Sequence, residues 1–381
     1  MVPERVAAAL RGAARPVCAY VYDTAALRSR AAAVRAALPP SATLLYAVKA
    51  NGHPAVVAAL AQAADGLEVA SGGELDLAVA AGARRIAFGG PAKTPAELSA
   101  AVAAGATLNV ESPLELRRLG LVAGERPVRV ALRVNRAGAA VAGSHQMTGT
   151  ATPFGIDETD LGPVVVLARG IANLDLVGFH LHAVSNSVSA PDFGNFVRDA
   201  VAWSRDAAAR YGVDLREVNV GGGFGVDYTG SGSFDLALLH DSLADLPGPP
   251  LVFELGRYLA AEAGWYAAEV LDLKRTHGRW FAVLRGGTHH FRLPAAWGYS
   301  HPFTVLPMPW TEPLPDRPAV HDVALDAVGE LCTPRDVLAR DHQVAEVRVG
   351  DVLVFAKAGA YGYDISHREY LRHPYPQLLV I

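Results

Sequence analysis

The sequence predicts an α/β chain, a (β/α)8 barrel of the TIM type joined to a β-rich C-terminal domain. Three observations predict it. Strand-like apolar runs alternate with helix-like runs from about residue 17 to 260. About eight such units recur, which favours a closed parallel barrel over an open sheet. After about residue 262 the texture changes to strands and turns with no regular helices between them. The expected division is a barrel over 22–260 and a β-rich domain built from 1–21 and 261–381.

Each element follows from its pattern. "PVCAYVYD" reads as a strand and "TAALRSRAAAVRAAL" as a helix stopped by Pro39 and Pro40. "ATLLYAVKA" and "HPAVVAALAQAA" form the next pair, then "GLEVAS" with "GGELDLAVAAG", whose Gly82 closes the helix. "RIAFGG" precedes "TPAELSAAVAAG", and "TLNVES" precedes "PLELRRLGLVA". "RVALRVN" leads into a loop at 137–155, "AGAAVAGSHQMTGTATPFG", which reads as an active-site lid or as a surface excursion. "DLVGFHLHAV" precedes the long helix "PDFGNFVRDAVAWSRDAAARYG". "EVNVGGGFG" and "PLVFELGRYLAAEAG" complete the series. Beyond them, "GWYAAEVLDLKRTHGRWFAVLRGG", "PAVHDVALDAVG" and "VGDVLVFAKAGAY" have strand character.

Composition bounds the function. The 381 residues are 51% hydrophobic and 19% charged, as in a globular enzyme. A net charge of −4 and a pI near 6.4 give no basic excess for nucleic acid. Cys18 and Cys332 offer neither a disulfide framework nor a zinc spacing, so a reducing cytoplasm is expected. No apolar run is long enough for a membrane span, and the N-terminus lacks the apolar core of a signal peptide.

In a parallel barrel, chemistry collects at the C-terminal ends of the strands. Lys49, His182, the glycines after Val220 and Glu254 all fall at such ends. Lys49 ends an apolar run and is followed at once by Asn51, Gly52 and Pro54. A buried ammonium costs several kcal/mol unless it is paired, neutral or covalently bonded; the alternative is a lysine snorkelling to water. The three glycines at 221–223 let backbone amides approach an anion, or simply make a turn. Glu254 suits a protonated ring nitrogen and Arg257 an anion, or the two form an ion pair. His180 and His182 share a strand face as a metal pair, core histidines or a stacking ring, and no further ligands complete a metal site. Cys332 is an inert thiol or a reactive one, and Tyr361 a hydroxyl donor or a packing residue. His289, His290, His301 and His321 read as surface or structural.

Taken in order, "YAVKAN", "HLHAVS", "GGGFG", "ELGR", "GELCTPRD" and "GDVLVFAKAGAY" resemble the fold-type III pyridoxal-phosphate decarboxylases over nearly the whole chain. These ornithine, arginine and diaminopimelate decarboxylases combine an alanine-racemase-like barrel with a β domain. The resemblance implies pyridoxal 5'-phosphate as cofactor, bonded covalently to Lys49, and Glu254 pairing with its ring nitrogen. It implies that His182 stacks on the ring, and that Ser185, Gly223, Gly256, Arg257 and Tyr361 serve the phosphate. Cys332 resembles the cysteine contributed by a second subunit to protonate the product carbon, which implies a homodimer with shared sites. On this resemblance the substrate α-amine displaces Lys49 on binding, and Lys49 returns to release the product amine.

Departures bear on the substrate. Leu255 stands where the family has proline, Val184 where glycine is usual and Asn219 where aspartate is frequent. Thr333 replaces the aspartate that reads the distal amine in ornithine decarboxylases, and the C-E-S turn of the diaminopimelate enzymes is absent. "THHFRLPAAWGYSHPF" resembles a siderophore-pathway branch acting on carboxylate-rich conjugates such as citryl-diaminopropionate. On that reading His290, Arg292, Thr333 and Tyr361 contact substrate, with His301 and His367 favouring an anionic tail. The alternatives are a decarboxylase of a basic amino acid, a racemase on the same fold and a non-catalytic homologue.

Overall fold

The computed structural model describes residues 1–138, 145–146, 148–230, 232–310, 312–313 and 315–381, with backbone only at 145 and 146. The chain divides into two compact units, Arg28–Asp227 with Gly232–Leu259, and Met1–Leu27 with Tyr228–Ser231 and Ala260–Ile381.

The first unit is a closed barrel of eight parallel strands: Thr43–Ala47 (β1), Gly66–Val69 (β2), Ile86–Phe88 (β3), Thr107–Val110 (β4), Val128–Asn135 (β5), Leu174–His180 (β6), Glu217–Gly221 (β7) and Leu251–Leu255 (β8). Each pairs with the next in parallel, and β8 closes on β1 with Glu254 opposite Leu45. β1, β2, β3, β4, β7 and β8 are buried along nearly their whole length, which explains why they read as continuous apolar runs rather than alternating ones. Serine or threonine caps start the helices Gly72–Ala80, Pro95–Ala103, Pro113–Ala123 and Ala190–Tyr211. Thr94 and Glu97 form a reciprocal capping box, and Gly212 at φ 68° ends the 22-residue helix.

The second unit is a mixed sheet running Thr304–Leu306, Val352–Phe355, Gly264–Thr276, Arg279–Leu284, Ala319–Val328 and Val337–Arg348. Cys18–Tyr22 pairs antiparallel with Gly264–Thr276 and parallel with Gln377–Val380, so the first strand of the chain joins this sheet. Helix Glu4–Arg11 buries Val6, Ala7 and Leu10 in a core with Val17, Ala19, Val21, Ala267, Val352 and Val354. The expectation of strands without helices is modified by the five-residue helix Leu293–Trp297, which has Pro294 in its first turn and is capped by Gly298 in the left-handed region. Among the described residues no helix is long and apolar enough to cross a membrane. Residues 139–144 and 147 of the loop read as a lid lie outside the described residues.

Candidate active site

The barrel gathers its polar side chains at the C-terminal ends of its strands. β1 runs into a single 3-10 turn, Val48–Ala50, in which Val48 and Ala50 are buried. Lys49 is not buried as the sequence suggested: it is the middle residue of this turn, and its side chain is 46% exposed. Its Nζ stands 3.1 Å and 3.4 Å from the two carboxylate oxygens of Glu68 in β2. The Glu68 side chain is only 4% exposed. Burial raises its pKa above the usual glutamate value, Lys49 opposes the rise, and the charge of Glu254 adds to it.

Glu254 is held by side chains from three other strands. Its Oε1 accepts from Asn109 Nδ2 (2.9 Å, β4) and Asn219 Nδ2 (2.6 Å, β7). His180 Nε2 at the end of β6 stands 3.3 Å from Oε2. Burial alone pushes this carboxyl upward, but His180, Lys49 and Asn219 outweigh it and hold Glu254 far below the usual carboxylate range. The result is a buried carboxylate that keeps its charge. Asn219, a departure from the frequent aspartate, has a physical role here. An amide donates to Glu254 while its Oδ1 accepts from Gly221 N at 2.9 Å; an aspartate would set two carboxylates face to face.

His182 lies two residues beyond β6, with its ring centroid 6.3 Å from that of His180. Its Nδ1 accepts from Gly222 N at 3.1 Å. Burial, then Arg133, Lys49 and His180, lower its pKa well below 6.5, so the ring is neutral at physiological pH. Arg133 in β5 donates to Glu111 at 2.9 Å, and Glu111 also accepts from Gly90 N and Gly155 N, which ties three loops together.

The glycines leave room where side chains would collide. A Cβ on Gly221 (φ 68°) would lie 2.3 Å from His182 Nδ1, and one on Gly223 (φ 141°) 2.8 Å from Phe193 Cε2. A Cβ on Gly222 would meet the Glu254 carbonyl oxygen at 2.3 Å, and one on Gly256 the Ala50 Cβ at 2.8 Å. Arg257 is buried directly after Gly256. Ser185 lies in a two-residue bridge with backbone partner His145. Lys49, His182, Ser185, Gly223, Glu254, Gly256 and Arg257 thus belong to one unit. A primary amine, a charged carboxylate, a neutral ring and a side-chain-free cradle fit a planar phosphorylated pyridine aldehyde. Sequence reading missed Glu68, Asn109 and Asn219 as partners, since an acid or amide inside an apolar run announces a buried contact only once the strand order is known.

The remaining expected residues belong to the other unit. Cys332 is exposed in a turn pinned by buried Asp336, which accepts from Thr288 N, Thr288 Oγ1 and Leu331 N at 2.6–2.9 Å. Thr333 closes the same turn by donating to Leu331 O at 2.8 Å. Tyr361 is partly exposed at φ 53°. Arg292 has an exposed side chain and a backbone N–H bonded to Ser366 Oγ. His290 is fully buried, with Nδ1 3.4 Å from Cys18 Sγ, so in this chain it presents no surface to a substrate. His301 is a core residue and not part of an exposed anion site: Nε2 contacts Ala356 O at 2.7 Å and Nδ1 contacts Tyr299 OH at 3.0 Å.

Comparison with known proteins accords with this geometry. The family model for the pyridoxal-dependent decarboxylases, pyridoxal binding domain, matches residues 24–261. A Staphylococcus aureus protein, 2-[(L-alanin-3-ylcarbamoyl)methyl]-2-hydroxybutanedioate decarboxylase, is 35% identical over 98% of this chain and 96% of its own. Diaminopimelate decarboxylase of Deinococcus radiodurans is 34% identical over 94% of this chain and 88% of its own. The crystal structure of diaminopimelate decarboxylase from Helicobacter pylori complexed with L-lysine matches with a TM-score of 0.85 at 25% identity, covering 96% of this chain and 92% of that one.

Proposed function

This chain belongs to the pyridoxal-dependent decarboxylases, and from that premise we propose that it removes the α-carboxylate of an amino-acid conjugate with a carboxylate-rich tail. The observation that carries the proposal is the presence in one barrel of an accessible lysine, Lys49, and a buried glutamate, Glu254, whose neighbours favour its charged form. Pyridoxal phosphate bound there draws electrons away from the substrate α-carbon, so that carbon dioxide can depart. Lys49 would anchor the cofactor through its aldehyde carbon, and Glu68 would keep the amine oriented. Glu254, locked by Asn109 and Asn219, would hold a proton on the ring nitrogen, which sustains the electron withdrawal. His182 would bear on the ring face, and the amides at 221–223 and 256–257 would face the phosphate.

Cys332 of a second copy would return a proton to the carbon that loses the carboxylate, so the active unit would be a homodimer, and the chain's two free cysteines suit the reducing cytoplasm. Arg292, Thr333 and Tyr361 would bear on the substrate's distal groups. The S. aureus relative supports a polycarboxylate conjugate, since the compound in its name carries a butanedioate. Such conjugates suit the assembly of metal-chelating siderophores.

The test is CO₂ release from cofactor-loaded protein given the S. aureus compound, diaminopimelate, ornithine, lysine and arginine. Turnover of the conjugate above all others is expected. Preference for diaminopimelate or a basic amino acid overturns the substrate assignment, and inversion at the α-carbon without CO₂ release overturns the reaction. Lys49→Ala is expected to lose both turnover and the visible absorbance of the bound cofactor.

A further inference from the structure

We propose that His289, His290, Glu330 and His373 form a binding site for a divalent transition-metal ion of the zinc class in the β-rich unit. The proposal concerns a site outside the decarboxylase reading and stands without it.

One ligand atom from each of His289, His290 and Glu330 falls within 4.8 Å of the others. His289 Nε2 is 3.6 Å and His373 Nδ1 3.5 Å from Glu330 Oε1. Two ligands bound tetrahedrally to zinc stand about 3.4 Å apart, since each bond is about 2.0–2.1 Å. The spacings of His289 and His373 from Glu330 are thus close to that of a tetrahedral edge, with His290 within 4.8 Å of His289 and Glu330.

Burial supplies the second observation. His289 and His290 are both 0% exposed, yet neither nitrogen of His289 and not Nε2 of His290 has a hydrogen-bond partner among the described residues. Buried polar atoms left unpaired cost about 1–3 kcal/mol each, and native chains rarely tolerate three in one place. A metal ion would satisfy them together. A substrate carboxylate would not, because these rings offer it no surface.

The surrounding groups suit ligands. Cys18 Sγ at 3.4 Å from His290 Nδ1 holds that ring in place. Arg285 Nη1, 2.5 Å from both Glu330 oxygens, and Gly286 N, 3.0 Å from Oε1, orient the carboxylate. The guanidinium charge opposes a cation, so binding weaker than in a structural zinc finger is expected. His373, 27% exposed at its side chain, gives the ion an entrance. No spacing motif announces the set, because its members lie at 289, 290, 330 and 373.

The experiment is equilibrium dialysis of chelator-stripped, cofactor-loaded protein against Zn²⁺ with elemental analysis, repeated with Co²⁺ for its visible spectrum. One equivalent per chain is expected, with affinity lowered about tenfold or more in His373→Gln and in His289→Gln. Should His289→Gln fail to fold, His373→Gln alone decides, with its circular dichroism melt as the control. Absence of stoichiometric metal, or equal binding by folded His373→Gln and wild type, overturns the proposal.

Discussion

Lys49 Nζ stands 3.1 Å from Oε2 of Glu68, and the two ends of this ion pair live in different media: the lysine side chain is 46% exposed and the glutamate 4%. The carboxylate therefore bears most of the desolvation, while the ammonium lies partly exposed at the end of its side chain. A fully buried pair would hold the amine too firmly to react, and an isolated lysine would leave it unoriented.

The pair predicts a pH dependence. Burial raises the folded-state pKa of Glu68 above its ordinary 4.5, against the pull of Lys49. The folded chain then holds this proton more tightly than the unfolded chain, so the contribution of Glu68 to stability falls as pH rises through the window beginning at 4.5. The melting temperature of wild type, measured against Glu68→Gln from pH 4 upward, is expected to drop across that window. Parallel profiles for the two proteins would dismiss the buried-carboxylate account.

Glu254 separates charge from packing. Asn109 and Asn219 are 1% and 3% exposed and both donate to its Oε1. Glu254→Ala strands both donors and is expected to cost about 2–5 kcal/mol of stability. Glu254→Gln keeps an acceptor for them but loses the charge, so it is expected to fold with a smaller loss while kcat falls about 10²-fold or more. Urea melts and steady-state rates check both. A Gln variant with wild-type kcat would show that the charge has no part in the reaction.

How much of this was legible in the sequence depended on range. The eight strands were readable because the barrel buries nearly all of each, which leaves unbroken apolar runs such as Leu44–Val48. Lys49 and Glu254 were readable because a charge at the end of such a run is conspicuous. Asn219 was visible only as a departure, since its value lies in donating to a residue 35 positions away. Glu68 and Asn109 lay inside apolar runs, and only the parallel order of the strands brings them to Lys49 and Glu254. The exposure of Lys49 was not legible either, because it depends on the single 3-10 turn that follows the strand.

The glycine cradle predicts weakened cofactor binding without loss of the anchoring amine. A Cβ on Gly256 would lie 2.8 Å from Ala50 Cβ and 3.2 Å from Ala47 Cβ, and one on Gly223 would lie 3.0 Å from Val184 O at φ 141°. Gly256→Ala displaces the turn that carries Lys49 and the segment leading to Arg257 together. Both variants are expected to raise the Kd for pyridoxal phosphate about tenfold or more, in line with about 1–3 kcal/mol of overpacking. Fluorescence titration of the cofactor-free protein measures this, and unchanged affinity in both variants would remove the cradle from the phosphate site.

The last prediction concerns the second subunit. Cys332 is exposed in a turn held by Asp336 and Thr333, and Lys49 belongs to the other unit of the chain. Cys332→Ala is expected to slow product formation and to divert part of the reaction toward a transaminated product. If each site takes Lys49 from one copy and Cys332 from its partner, Lys49→Ala and Cys332→Ala chains complement each other. An equal mixture that exchanges freely makes half its dimers mixed, and each mixed dimer has one intact site, so about one quarter of wild-type turnover should return. Refolding the two variants together and assaying CO₂ release tests this directly. If the mixture stays no more active than the average of its separate components while size-exclusion chromatography shows that dimers form, Cys332 serves no site across an interface.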